Sequence, residues 1–337
     1  MRIHRMLAAW GGLSTLALSL LLHGAPAAAQ GTEAPLIKVT LLGTGGPELT
    51  PLRFGYATLV EAGGQKLLFD AGRGVLQRLY ESKVNVTEVT KVFFTHLHND
   101  HIDGFASLWM TPWFLLGRDQ PFEAWGPPGT AQMVTGMRAM YAFDIEHRSN
   151  KFNDPRNLEV KVSEIGEGVI YEREGVKVTT FSVWHDDGNP AFGYRIDYRG
   201  RAVVLSGDTT YSENLVKHAQ GVDLIVHNVI AMSERLTQAP EMKPVLGKLT
   251  TPEQAARTFL EARPRMAVYS HIVKKELHGQ YGDNVIIART RAAGYRGPLE
   301  MGHDRMTIEI GAGVRVLQPV VTDNLEDVDR KAAYAPE

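Results

Sequence analysis

Apolar and polar positions divide most of the chain into short strand-like runs separated by helix-like segments. Alternation with a period of two predicts half-buried strands, and apolar residues that recur every three or four positions predict amphipathic helices. The predicted strands are Ile37–Leu42, Tyr56–Glu61, Lys66–Phe69, Lys91–Phe94, Phe122–Trp125, Val169–Arg173, Val176–Val183, Ala191–Tyr198, Ala202–Ser206, Leu224–Val226, Met266–Ser270 and Met306–Ile310. The predicted helices are Gly74–Glu81, Thr130–Tyr141, Glu213–Ala219, Thr251–Glu261 and Asn284–Ala293. This order predicts sheets whose outer faces are covered by helices.

Two short signals locate the ends of elements. Arg199-Gly200 separates two alternating runs, which predicts a tight hairpin turn. Thr251 followed by Pro252 predicts the start of a helix. A Thr side chain can cap the free N–H groups of the first turn, and Pro has no N–H that would need a partner there.

The N-terminal segment has the three-part pattern of a secretory signal peptide. Arg2 and Arg5 precede an apolar stretch over residues 6–22, and small residues follow, ending in Ala27–Ala29. We predict that residues 1–29 are a cleaved signal peptide and that the mature chain is periplasmic or secreted. A retained membrane anchor is the alternative, but the stretch is short for a spanning helix of about 20 residues. No stable membrane anchor is therefore expected.

Composition limits the remaining classes of protein. Residues 30–337 are predicted to form a single domain, because no low-complexity linker, fixed-period repeat or second apolar span interrupts them. The sequence contains no Cys, which excludes disulfides. Removing residues 1–29 takes away two Arg and no acidic residue, leaving 34 basic and 38 acidic side chains. A chain with this charge has no general attraction for nucleic acid, so no nucleic-acid partner is expected. Whether the chain forms a homodimer is left open.

A dense cluster of metal-binding side chains follows the predicted strand Lys91–Phe94. The segment Thr95–Gly104 reads Thr-His-Leu-His-Asn-Asp-His-Ile-Asp-Gly. Three imidazoles and a carboxylate within six positions can converge without any distant contact, and both groups are suitable zinc ligands. A polar His-rich loop without a metal is the alternative.

The pattern HxHxDH in this segment resembles the metallo-β-lactamase superfamily. His185, Asp208 and His271 continue the resemblance, because each stands just past a predicted strand. The resemblance implies an α+β hydrolase, a four-layer αβ/βα sandwich, that holds two Zn²⁺ ions per chain, although other divalent metals are chemically admissible. The first ion would be bound by His96, His98 and His185, the second by Asp100, His101 and His271, and Asp208 would bridge them. A hydroxide shared by the ions would attack the substrate. Asp100 is assigned a catalytic role in addition to its role as a ligand.

Two further residues are assigned supporting roles. Asp70 recurs in the same place in the superfamily and is predicted to hold a His ligand by its ring N–H. The alternative is that Asp70 only caps the turn that follows it. In the ribonuclease Z branch, a His at the place of His227 precedes an acid and is thought to assist proton transfer. Asn228 stands where that acid would be, so His227 is either a proton donor or a hydrogen-bonded structural residue.

Flanking motifs resemble the ribonuclease Z-like branch, and within it a group of secreted arylsulfatases of this fold. The motifs include Gly43–Pro47, Phe192–Arg195 and Gly207–Thr209. Members that process tRNA usually carry a long arm between the third His and the bridging Asp, whereas His185 and Asp208 are only 23 positions apart. The missing arm, the signal peptide and the acidic composition argue against tRNA processing. We therefore expect an exported di-zinc hydrolase that cleaves small anionic esters, an aryl sulfate or a phosphodiester.

Other functions remain open at this point. The same metal pair could hydrolyse a lactone or a β-lactam by stabilising a tetrahedral intermediate, and a metal-binding protein without activity is a third class. Residues 108–114, which include Trp109 and Trp113, could form a wall for an aryl group or belong to the core. Lys274 and Lys275 could steer an anionic ester or be solvated surface residues.

Overall fold

Fifteen strands in two sheets form the centre of residues 34–319, the part of the chain that the computed structural model describes. The predicted signal peptide over residues 1–29 lies outside this part, and its cleavage stays a prediction. The strands are β1 (Ile37–Gly43), β2 (Ala57–Ala62), β3 (Gln65–Phe69), β4 (Lys91–Phe93), β5 (Phe122–Gly126), β6 (Val160–Glu164), β7 (Gly168–Arg173), β8 (Val176–Val183), β9 (Ala191–Tyr198), β10 (Arg201–Leu205), β11 (Leu224–Met232), β12 (Met266–Lys275), β13 (Leu299–Met301), β14 (Met306–Ile310) and β15 (Val314–Leu317).

Helices connect the strands and cover the sheets. In chain order they are α1 (Val75–Glu81), α2 (Asn99–Ile102), α3 (Phe105–Leu115), α4 (Thr130–Met140), α5 (Ala142–Arg148), α6 (Glu213–His218), α7 (Glu234–Gln238), α8 (Lys243–Leu246), α9 (Pro252–Ala262) and α10 (Gly279–Ala292). Within residues 34–319, none of the helices combines the length and the apolar character needed to cross a lipid bilayer.

Each sheet combines an antiparallel part with a parallel part. The first sheet has the strand order β15-β14-β1-β2-β3-β4-β5-β6, with β3 to β6 parallel. The second has the order β13-β12-β11-β10-β9-β8-β7, with β10 to β13 parallel. Neighbouring parallel strands end at the same edge of a sheet, where α/β proteins usually bind their ligands. The segments that follow β3, β4 and β10 therefore lead to the candidate site.

The inner faces of the two sheets pack against each other and form the main core. Its buried side chains come from both sheets, for example Phe69 from the first sheet and Tyr194 and Val226 from the second. Phe93 stacks between Phe69 and Trp125, with ring centroids 4.9 and 4.6 Å away. Truncating such a buried Phe to Ala typically costs about 3–5 kcal/mol of stability. This core fixes the two sheets relative to each other and thereby the residues at their edges.

Helices cover the outer face of each sheet. Side chains of α1 and α3 pack on the first sheet, and side chains of α6, α9 and α10 pack on the second. The resulting order of layers is helix, sheet, sheet and helix. It confirms the predicted α+β fold, a four-layer αβ/βα sandwich.

The aromatic segment after the metal loop belongs to the core. Trp109 and Trp113 lie in α3, and both side chains are buried. Their indole N–H groups donate to the carbonyl oxygens of Leu158 and Asp154, at 3.0 and 2.9 Å. Each indole therefore has its apolar surface packed and its polar group satisfied. The interpretation of residues 108–114 as an aryl-binding wall is wrong, and the core interpretation holds.

The two local signals are confirmed. Arg199 and Gly200 have φ angles of 47° and 75°, and they join β9 to β10 with Tyr198 paired to Arg201. This is the two-residue hairpin that the sequence predicts. At the start of α9, the Thr251 side chain accepts a hydrogen bond from the Gln254 N–H and the Gln254 side chain accepts one from the Thr251 N–H. These reciprocal bonds form a capping box.

Candidate metal centre

The predicted metal ligands reach one site from four separate segments of the chain. His96 and His98 lie on the loop that leaves β4, and Asp100 and His101 lie in α2 directly after it. His185 follows β8 and Asp208 follows β10, so the second sheet supplies the opposite side of the site. The core between the sheets holds these segments together, although they are far apart in sequence.

His271 reaches the site through an irregularity in β12. Its φ is 46°, in the left-handed region that residues other than Gly seldom adopt. The pairing of β12 with β11 shifts register at the same place, between the pairs His227–Tyr269 and Val229–Ile272. Such a bulge redirects a side chain away from the sheet. The ring of His271 thereby comes within hydrogen-bonding distance of Asp100 and Asp208.

The seven side chains form overlapping groups whose candidate ligand atoms lie within 4.8 Å of one another. These groups are His96, His98 and His185; His96, His101 and Asp208; and Asp100, His101 and His271. Asp208 lies between the first and third groups, because its Oδ2 is 3.7 Å from His185 Nε2 and 3.1 Å from His271 Nε2. The structure thus brings together every residue that the sequence predicts as a ligand.

Unpaired buried atoms show that the site fits a metal. His96 Nε2, His101 Nε2 and Asp208 Oδ1 are buried and have no hydrogen-bond partner. Buried polar atoms are nearly always paired in native proteins, so such atoms at one point indicate an absent ligand. Imidazole nitrogens and carboxylate oxygens are the donors that Zn²⁺ binds. The residues present therefore fit metal ions.

The electrostatics of the site favour cations. Burial opposes ionisation of Asp100, but the hydrogen bond with His271 and the charge of His101 hold the pKa of Asp100 below its usual value. Burial likewise opposes a charge on His101, yet Asp208 and Asp70 raise its pKa well above the usual value. Burial also opposes ionisation of Asp208, but the charges of His271 and His101 hold its pKa below the usual value, so Asp100 and Asp208 are the two negative charges of the site. A metal cation bound to His101 Nε2 could replace the proton on that nitrogen and balance the negative charge of the carboxylates.

Two of the histidine side chains, His101 and His185, have a defined partner for the second ring nitrogen. His101 Nδ1–H donates to Asp70 Oδ2 at 2.9 Å, and His185 Nδ1–H donates to the backbone carbonyl of Lys248 at 2.8 Å. Thr95 donates to Asp70 from both its N–H and its hydroxyl, at 2.8 Å each. Such contacts fix the tautomer that leaves Nε2 free for a metal. Asp70 therefore does more than cap a turn.

Thr95 and Lys248 are supporting residues that the sequence reasoning missed. Thr95 stands directly before His96, so its place in the motif could have indicated a role. Lys248 is 63 positions from His185, and no local pattern links the two. Only the fold brings its carbonyl group to the ring.

The ring of His227 lies on the side of β11 that faces the helices. It packs edge-on against Phe259 of α9, with centroids 5.6 Å apart, and its Nδ1–H donates to the Asn228 carbonyl at 2.8 Å. Burial lowers the pKa of His227 to about 4. These are the contacts of a hydrogen-bonded structural residue. The proton-donor role stays a prediction.

The two lysines after His271 are paired with carboxylates. Lys274 Nζ contacts Asp283 at 2.8 Å, and Lys275 Nζ contacts Glu48 at 2.6 Å. Both ammonium groups are thus partly neutralised by neighbours within the protein. Their role in steering an anionic ester stays a prediction.

Comparison with known proteins identifies the family. The family described as "Beta-lactamase superfamily domain" matches residues 65–272. The chain is 35% identical to ribonuclease Z of Mycolicibacterium gilvum over 285 residues, which cover 83% of this chain and 98% of the relative. It is 34% identical to ribonuclease Z of Mycobacterium marinum over 284 residues, covering 82% and 100%. The fold is similar to that of the short form of human tRNase Z, with a TM-score of 0.61 at 23% identity over 81% of this chain and 99% of that one.

These relatives correct the functional expectation. The prediction of a small anionic ester substrate and of no nucleic-acid partner is wrong, because proteins named ribonuclease Z match most of the chain. The argument from the missing arm fails, because the chain covers 98% of such a relative in spite of the short interval between His185 and Asp208. The predicted closeness to secreted arylsulfatases finds no support in these relatives. The chain belongs to the beta-lactamase superfamily, in its ribonuclease Z-like branch.

Proposed function

We propose that this protein is a metal-dependent phosphodiesterase that cleaves RNA, with tRNA precursors as its substrate. One observation carries the proposal. The seven ligand residues are complete and converge on one site, within a chain that matches ribonuclease Z relatives along nearly their full length. The similarity to human tRNase Z supports the fold, and the sequence relatives support the substrate.

We assign two zinc ions to the site. The first would be held by His96, His98 and His185, the second by Asp100, His101 and His271, and Asp208 would contact both. Bound metal pairs lower the pKa of a shared water and stabilise the charge that develops on a phosphoryl oxygen. The seven side chains supply the donors for such a pair.

The protein's own residues prepare the site for hydrolysis. The Asp70 carboxylate and the Lys248 carbonyl hold the rings of His101 and His185, so that their Nε2 atoms face the centre. In the metal-free protein, the hydrogen bond from His271 Nε2 helps to keep Asp100 ionised, and in the loaded site the cations would keep it so. In this state its carboxylate can orient the attacking water and accept a proton from it. We assign the catalytic role of Asp100 on this basis.

The substrate would enter beside His98. The side chain of His98 is 37% exposed, whereas those of Asp100, His185 and Asp208 are 4–5% exposed. The open side of the centre therefore lies at His98. A phosphodiester bound there would cover the buried ligands and shield them from bulk water. Electrostatic stabilisation of a transition state is strongest in such a water-excluded site.

The test uses the purified zinc-loaded protein and a precursor tRNA that carries a 3′ trailer and a 5′ label. We expect a cut that separates the trailer from the tRNA. Asp208→Asn should reduce the rate at least a hundredfold, because removing an essential electrostatic group costs about 3 kcal/mol or more. The matched control is Asp197→Asn, which removes a carboxylate paired with Arg195 on β9. An intact precursor under excess wild-type enzyme, with the metal content verified, would refute the proposal.

A further inference from the structure

We propose that Lys248 binds a phosphate of the RNA substrate at the open side of the metal centre, and that Asp187 positions its ammonium group. The inference rests on the proposed function, because it requires a substrate with a phosphate backbone. It assigns a substrate contact to Lys248, whose ammonium group pairs with Asp187 and makes no hydrogen bond or ion pair with the seven ligand side chains. Three structural observations support it.

The first observation is the position of the Lys248–Asp187 pair. Lys248 Nζ lies 2.5 Å from Asp187 Oδ2, and Asp187 Oδ1 lies 4.0 Å from His98 Nε2. His98 is the exposed ligand, so the ammonium group stands next to the open side. The side chains of Lys248 and Asp187 are 32% and 56% exposed. An incoming substrate can therefore reach them.

The second observation is that the backbone of Lys248 is fixed. Its carbonyl accepts the hydrogen bond from His185 Nδ1, at 2.8 Å. Two positions on, the Thr250 hydroxyl donates to the carbonyl of Thr209, which directly follows Asp208. The flexible lysine side chain thus extends from a backbone that is tied to two ligand-bearing segments. Asp187 fixes the other end of the side chain, so little conformational entropy remains to be lost when a phosphate binds.

The third observation is the balance of charge at the open side. Asp187 alone would repel a phosphate, and Lys248 neutralises it. An ammonium group has three N–H donors, and one of them serves Asp187, which leaves two for a phosphate oxygen. By contrast, Lys274 donates both to Asp283 and to the Gly279 carbonyl. Lys248 therefore retains donors at the point where the backbone of the substrate would pass.

The alternative is that Lys248 and Asp187 form an ordinary surface ion pair. Such pairs contribute about 0–1 kcal/mol to stability, and on this alternative the pair would not contact the substrate. The experiment must therefore measure the affinity for the substrate and the metal content of each variant separately. Side-chain substitutions make this separation, because they leave the Lys248 carbonyl and its bond to His185 in place.

The experiment compares zinc-loaded wild type, Lys248→Met and Lys248→Arg. Binding of a mature tRNA, which has no trailer to be cleaved, is measured by fluorescence anisotropy at several salt concentrations between about 50 and 200 mM. We expect Lys248→Met to raise Kd about tenfold and to reduce the salt slope of log K by about 0.7–0.9, the value for one lost phosphate contact. Lys248→Arg should keep the wild-type slope. With precursor tRNA, KM should rise more than kcat falls.

The matched control is Lys66→Met. Lys66 also pairs with a single carboxylate, Glu88 at 2.6 Å, but it lies four residues before Asp70, near the start of β3. We expect its Kd and slope to equal those of the wild type. Metal content is measured for every variant, and Lys248→Met should retain the full wild-type content.

Two results would overturn the inference while leaving the proposed function intact. One is a wild-type Kd and slope in Lys248→Met. The other is loss of metal from that variant, which would make the side chain a support for His185. If Lys248→Met does not fold, Lys248→Gln is judged by the same criteria. If the wild type neither binds nor cleaves tRNA, the proposed function fails and the inference fails with it.

Discussion

Asp70 Oδ2 lies 2.9 Å from His101 Nδ1, and both side chains are fully buried. The hydrogen bond joins the end of β3 to α2, two segments that approach the site from the same sheet. It fixes the ring of a ligand whose other nitrogen has no partner within the protein. The carboxylate thereby determines which nitrogen of His101 is available to a metal.

Replacing Asp70 by Asn should weaken metal binding more than it weakens the fold. Asn keeps the size of the side chain but removes the charge that holds His101. We expect zinc affinity to fall about 10- to 100-fold, the usual effect of losing such a partner. Zinc titration against a competing chelator measures this affinity, and urea unfolding of the metal-free protein measures the fold. Unchanged affinity would show that Asp70 does not support the ligand.

Gly188→Ala should disturb the first group of ligands. A Cβ atom at Gly188 would lie 2.2 Å from His185 Cδ2 and 3.0 Å from His96 Cδ2, so both rings would have to move. We expect loss of most of the activity together with loss of bound metal, measured on the same sample. The matched control is Gly136→Ala in α4, where the new methyl group meets no atom within 4 Å. That change should raise stability by about 0.5–1 kcal/mol. Full activity in Gly188→Ala would contradict the geometry of the site.

His227 should make the metal-free protein less stable in mild acid. Its folded pKa is about 4, below the value of about 6.5 expected when unfolded. As the pH falls below about 6.5, only the unfolded state gains the proton, so stability falls until the pH reaches about 4. Between pH 7 and 5 the loss from this group should be about 2 kcal/mol. Over the same pH range, the free energy of unfolding of His227→Gln should fall by correspondingly less than that of the wild type. Paired urea titrations at the two pH values measure both. Equal losses would mean that the ring is not buried as neutral imidazole.

Removing the metals should lower the thermal stability of the protein. We expect close to two zinc ions per chain by elemental analysis after dialysis against dilute zinc. Ligands that bind only the folded state stabilise it by about 4 kcal/mol when their concentration is a thousandfold above Kd. Chelation should therefore lower the Tm, and added zinc should restore it. A single ion per chain would contradict the two-metal assignment, and an unchanged Tm would contradict the linkage of metal binding to folding.

The mature chain should begin at or near Gln30 and should lie outside the cytoplasm. The charged start, apolar stretch and small residues of positions 1–29 motivate this prediction. Intact-mass measurement of the protein from fractionated host cells tests it, and retention of residues 1–29 would contradict it. The proposed cleavage of precursor tRNA is an activity of the purified protein, and export would separate that activity from the tRNA of the cytoplasm. The location of the mature chain therefore determines which RNA it can meet.

The strands with clear alternation were predicted well because one of their faces is buried and the other is not. Val176–Val183, Ala191–Tyr198 and Met306–Ile310 have the predicted bounds. β11 was predicted as only three residues because all of Leu224–Met232 is buried, which leaves no alternation to detect. The short edge strand β15 was missed for the opposite reason, since none of its side chains is fully buried.

Helix α3 was missed because its sequence lacks the usual helical signals. Residues 105–115 are apolar on nearly every side, and Pro112 lies within the helix. A buried helix of this kind has no polar face to reveal its period. Contacts with the first sheet and α1 stabilise it in the folded protein.

The convergence of the seven candidate ligands could be predicted because family spacing and strand ends locate them, whereas the class of substrate could not. His96, His98, Asp100 and His101 form one compact motif. The substrate was inferred from the short interval between His185 and Asp208 and from net charge, neither of which describes the surface beside the metals. The contact of Lys248 with His185 depends on tertiary structure alone.

The distribution of ligands over both sheets has a consequence for incomplete chains. A product of interrupted translation that ends before β12 would contain the whole motif from His96 to His101 but would lack His271. Such a product could bind a metal ion through the remaining side chains, but without His271 the third group of ligands would be incomplete. Full occupancy by metal therefore requires that synthesis has continued through β12 and that both sheets have assembled. A truncated chain would therefore lack the complete set of candidate ligands that the proposed hydrolysis requires.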